Sequence, residues 1–157
     1  MPARRGGSKN NKLKDMNNNI IINEALKLLD EGFSVTLPVA GHSMLPFIIG
    51  DKESVILAKP QTLSPGIIAL AWVEQRRFVL HRIEKIECGN VTLMGDGNLA
   101  GREHCRIADV KAIATHVVDR HKHNHDLYTP QRRMAAKIWY KMLPIRRYLL
   151  AIYHIFC

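Results

Sequence analysis

Cysteine is scarce in this chain of 157 residues, and the few present form no pattern. Cys88, Cys105 and Cys157 are odd in number and include no C-x-x-C pair, which argues against a disulfide framework or a thiolate zinc site and favours a reducing compartment. Long apolar runs are missing too: none reaches the roughly 18–20 residues that a membrane-spanning helix needs. The N-terminus, Met1-Pro2-Ala3-Arg4-Arg5-Gly6-Gly7-Ser8, is basic but has no apolar stretch behind it, so no signal peptide is expected. There is no internal repeat and no low-complexity tract. No helix-turn-helix or aromatic–basic strand box is visible either, so nucleic acid is not an expected partner despite a formal charge of +9. The expected location is cytoplasmic or peripheral to a membrane.

That charge is unevenly spread. Residues 1–19 hold five Lys/Arg against Asp15, and residues 127–157 hold six with no acid at all. The middle of the chain is near neutral. Basic ends around an ordinary centre suit an anionic surface, and solvated tails are the plainer alternative. The C-terminal run from Lys141 to Phe156 sets Arg146 and Arg147 beside Tyr148, Leu149, Leu150, Ile152, Tyr153 and Ile155. That is the composition of a helix lying in an anionic membrane interface, or of one packed on its own domain.

Periodicity divides the chain into three parts. Residues 1–19, rich in Lys, Arg, Asn and Gly, are expected to be a disordered basic tail. Residues 20–126 open with an amphipathic helix, its stripe Ile22, Leu26 and Leu29 ended by Gly32. Short strands follow at 33–39, 53–59, 67–73, 77–87, 90–95 and 106–118, separated by turns such as Ser64-Pro65-Gly66 and Gly95-Asp96-Gly97-Asn98. Residues 127–157 turn helical after Thr129-Pro130, with a break at Pro144. The expected fold is mainly β: a coiled antiparallel sheet or partly open barrel with one leading helix and C-terminal helices.

Two residues stand out chemically. Ser43 sits in Gly41-His42-Ser43-Met44-Leu45-Pro46, a turn directly after a strand, with Ile49-Gly50-Asp51 following. His81 interrupts the apolar run Val79-Leu80-His81-Arg82-Ile83. A serine hydroxyl is a weak nucleophile until a base takes its proton, and histidine is the side chain suited to that task near neutrality. Asp96 is the candidate carboxylate to orient the imidazole, and backbone N–H groups around Ser43 are candidate oxyanion donors. Glu103 and His104 are further polar groups able to line a cleft. Each signal has a plain structural reading as well: a turn former, a hydrogen-bonded packing histidine, a hairpin turn. His121, His123 and His125 alternate in a polar loop, but no Cys or acid stands at ligand spacing, so a solvated loop is expected and no metal.

In order, G-x-S-M-x-P at residues 41–46, I-G-D at 49–51, P-G-I-I at 65–68, H-R-I at 81–83 and Gly95-Asp96 followed by Asn98 resemble the signal peptidase and LexA-type serine peptidase superfamily. The resemblance covers about residues 33–118. It implies a coiled β fold and peptide-bond hydrolysis without a cofactor, with Ser43 as nucleophile and His81 as base. The histidine in place of the commoner lysine is similar to the signal-peptidase branch found in the endoplasmic reticulum, archaea and some bacteria. Many members carry Ser or Thr as an oxyanion donor two residues before the nucleophile. Here that position is Gly41, so the resemblance leaves this task to the backbone around Gly41 and Met44. The expected activity is a serine endopeptidase acting on an extended peptide or preprotein. A non-catalytic peptide-binding module on the same scaffold is the alternative.

Overall fold

The computed structural model describes the backbone of residues 7–156 and the side chains of Lys14 and of 16–156. A first helix, α1 (Gly7–Asp30), leads into β1 (Val35–Pro38), β2 (Ser54–Ala58), β3 (Ile68–Val73) and β4 (Arg77–Glu87). Then come β5 (Asn90–Met94), β6 (Glu103–Arg106), β7 (Val110–Val118) and β8 (Asn124–Asp126), and last α2 (Pro130–Lys141) and α3 (Arg146–Phe156). The strands form one antiparallel sheet in the order β1-β2-β7-β3-β4-β5-β6, with β8 added beside β7. The sheet curls into a half-barrel, the mainly β architecture expected from the sequence.

The stripe of α1 closes the main core. Leu29 and Ala25 are buried, Ile22 and Leu26 are half-buried, and they face Ile48, Leu57, Ile68 and Leu70. Gly32, at φ +92°, lets the chain reverse while the N–H groups of Gly32 and Phe33 return to Leu29 O and Leu28 O. The helix starts at Gly7 and not near residue 20, so residues 7–19 are helical where a disordered tail was expected. Residues 1–6 of that expected tail lie outside the described residues.

Two differences concern short strands. The expected strand at 106–118 is interrupted by a single 3-10 turn over Ile107–Asp109, where the Asp109 carboxylate accepts the Arg106 N–H at 3.2 Å. β6 and β8 were not foreseen, because three or four residues with little apolar alternation give no period to read. The C-terminal helices follow the expected pattern: Thr129 Oγ1 caps α2 by accepting the Arg132 N–H at 3.3 Å, and Pro130 takes the first helical position. Among the described residues no helix is long and apolar enough to cross a membrane.

Candidate active site

The loop carrying Ser43 is held by its flanks. Asp51 N–H bonds Val39 O at 2.7 Å, and a Cβ on Gly50 would fall 1.7 Å from Gly41 O, so the loop closes on itself only with glycine at position 50. Gly41 itself sits at φ +79°, a region that side chains other than glycine enter at a cost. Beyond Ser43, Met44, Leu45 and Ile48 are buried and anchor the turn. The Met44 side chain is part of the core, and neither Met44 nor Gly41 is among the residues that line the cleft beside Ser43. Among the described residues, no acceptor takes the N–H of Ser43 or of Met44. The His42 ring turns towards α3 and meets His154 edge-on, with centroids 5.8 Å apart.

His81 comes from the middle of β4, opposite Ala69 of β3. It is buried, and its Nδ1 lies 2.8 Å from Glu103 Oε2 at the start of β6. Nδ1–H donating to that carboxylate leaves Nε2 as the nitrogen able to take a proton. Arg77 reaches the other oxygen of Glu103 at 3.4 Å. Ser43, His81, Glu103 and Asn98 line one cleft of about 950 Å³, which also borders Leu37 and Pro38 of β1 and Val39 just beyond it. Within this cleft Ser43 Oγ makes no hydrogen bond to His81 or to any other described residue.

The carboxylate on the imidazole is thus Glu103 and not Asp96. Asp96 is committed to Arg82, with Nε to Oδ1 at 2.8 Å and a terminal nitrogen to Oδ2 at 2.7 Å. Strand alternation explains the division: His81 and Arg82 are neighbours on β4 and face opposite sides of the sheet. His104, one residue after Glu103, bonds Thr92 Oγ1 at 3.3 Å and takes no part in the pairing.

The Gly95–Asn98 turn still serves the site, through its backbone. Gly97 N–H donates to Ser43 O at 2.8 Å. A Cβ at Gly95 would lie 2.4 Å from Ser43 O, and one at Gly97 would lie 2.4 Å from His42 O, so both positions need glycine. The turn is braced from outside: Trp139 Nε1 donates to Asp96 O at 2.7 Å, and Arg146 donates to Asn98 O at 2.8 Å and Trp139 O at 3.2 Å. Arg146 is 2% exposed, and burial pushes its guanidinium down from the usual arginine range against the opposing pull of Asp96.

The histidine-rich loop is organised by Asp119. His125 Nε2 lies 2.9 Å from its carboxylate, and the backbone N–H groups of His121 and His123 donate to it at 2.8 and 3.0 Å. Among the described residues no group of His, Cys, Asp or Glu is arranged to hold a metal ion. Against known proteins, the chain matches no family model, no curated protein and no solved structure.

Proposed function

We propose that the chain is a serine endopeptidase of the signal-peptidase-like type. The observation that carries the reading is the His81–Glu103 bond at 2.8 Å in the cleft that Ser43 also lines. Ser43 Oγ attacks the scissile carbonyl as its proton passes to His81 Nε2, and Glu103 stabilises the imidazolium so formed. The N–H groups of Ser43 and Met44 receive the oxyanion, a task that no side chain at Gly41 can share. His81 then returns the proton to the leaving amine, and water releases the acyl group by the reverse sequence. These steps call for neither metal nor organic cofactor.

The substrate is an extended peptide or preprotein. β1 ends the sheet order, so one of its edges is open to an added strand leading to Ser43. Lys14, Asn18 and Ile22 of α1 border the same cleft and narrow that track. The reading also sets α3 against an anionic bilayer. Tyr148, Ile152, Ile155 and Phe156 form an exposed apolar stripe, in a segment that contains six Lys/Arg and no Asp or Glu.

Fluorophosphonate labelling tests the peptidase. Wild type is expected to react, and Ser43→Ala and His81→Ala, each checked for native circular dichroism, to lose the label. Labelling that survives both would reject the dyad. That no hydrogen bond joins Ser43 Oγ to the imidazole supports a second reading, a peptide-binding module without turnover. Saturable peptide binding with no cleavage across pH 6–9 would select it.

A further inference from the structure

A second cleft, of about 680 Å³, lies between the sheet and α2 and shares no lining residue with the Ser43 cleft. Its floor is apolar, built from Ile67, Ile83, Met94 and Ile113. Two of the four hydroxyl-bearing residues that line it are turned to the protein: Thr115 Oγ1 donates to Ile56 O at 3.2 Å, while Tyr128 OH accepts the Ile68 N–H at 3.0 Å and donates to Ala114 O. The rim is cationic. Arg133, Lys137 and Lys141 follow one another at four-residue spacing, which puts all three on one face of α2.

The carboxylates nearby are already engaged. Asp96 holds Arg82, and Glu84 takes Arg102 at 2.6 and 2.8 Å and the Tyr140 hydroxyl at 2.6 Å. Among the described residues, Arg133, Lys137 and Lys141 have no acidic partner, and like charges at this spacing repel along a helix. α2 also buries no residue of its own, although a short helix normally owes its stability to a covered face. An apolar floor, a helix with no fully buried residue and an unbalanced cationic rim are complementary to one kind of molecule.

We propose that this cleft binds a single-chain anionic amphiphile. Its hydrocarbon chain covers the Ile67, Ile83, Met94 and Ile113 floor, and its phosphate or carboxylate meets Arg133, Lys137 and Lys141. The volume lies within the roughly 300–1,000 Å³ of small-molecule sites. The assignment is independent of the peptidase reading.

Calorimetric titration of the full chain with monomeric dodecyl phosphate tests it, with dodecanol and inorganic phosphate as the other arms. Saturable one-to-one binding of dodecyl phosphate and a raised melting temperature are expected. Dodecanol should bind at least tenfold more weakly and inorganic phosphate not at all. The double variant Lys137→Glu, Lys141→Glu, both surface positions, should lose at least tenfold in affinity. Ala136→Trp should fill the cleft and abolish binding, and Ser43→Ala should bind as wild type does. Equal binding by dodecanol, by inorganic phosphate or by the charge-reversed variant would overturn the proposal.

Discussion

Replacing Glu103 by Gln keeps its size but removes the charge facing His81 Nδ1, and an amide can present its NH2 group to the ring, favouring the wrong tautomer. The peptidase reading expects kcat to fall by about 10²–10⁴-fold with the urea midpoint nearly unchanged, since the equivalent change in a serine triad costs about 10⁴. Asp96→Asn should do the reverse. It strands the mostly buried Arg82 guanidinium and is expected to cost about 3–5 kcal/mol by urea denaturation. A loss of activity confined to Asp96→Asn would return the orienting role to Asp96. The sequence made Ser43 and His81 visible because each breaks the pattern around it. It pointed to Asp96 where Glu103 meets the imidazole, because that pairing depends on registry across three strands, including a bulge in β4 between Ile83 and Lys85. Local patterning cannot count across such an irregularity.

The C-terminal helices reach the Ser43 loop through a relay of contacts to backbone carbonyls. Trp139 and Arg146 grip the Gly95–Asn98 turn, and Gly97 grips Ser43 O. Arg146→Met should leave Asn98 O and Trp139 O without their donor, costing about 1–3 kcal/mol and slowing Ser43 labelling. Unchanged labelling would show that the Ser43 loop holds its shape unaided. Tyr140 ties α2 to the Glu84–Arg102 pair, and the Arg102 hydrogen bond above all holds the Glu84 carboxyl below its usual range. A lowered carboxyl value contributes stability that is present above the unfolded value, about 4.3, and lost as pH falls through the folded one. Amide protection in α2, measured relative to the intrinsic exchange rate at each pH, should therefore fall on acidification below about pH 4, and Glu84→Gln should remove that step. At this scale the helical period and Thr129-Pro130 announced α2 and α3 well. The first half of α1 gave no such notice, having no acid in its first turn and many Asn residues, which are weak helix formers. The basic and aromatic composition of the C-terminal segment pointed to the two settings considered, packing and a membrane. Arg146, buried at 2% exposure, goes to packing, and the outer stripe of α3 remains uncovered.

For the molecule as a whole, the fold class was legible because turn signals at short intervals leave room only for short antiparallel strands. The bilayer reading is a property at this scale, combining the α3 stripe with the basic ends. Ile152→Glu with Phe156→Glu should reduce co-sedimentation with anionic vesicles while leaving Ser43 labelling by a soluble probe intact. Equal pelleting of wild type and double variant would remove the membrane from the reading. One strand ties the functional regions together: β4 carries His81 towards Glu103 and Arg82 towards Asp96. A slip of a single residue between β3 and β4 would exchange imidazole and guanidinium between the faces and dismantle both arrangements together. The short reversal at Glu74 and Gln75, both at positive φ, joins these strands and sets their alignment, so a turn outside either cavity decides which chemistry each receives.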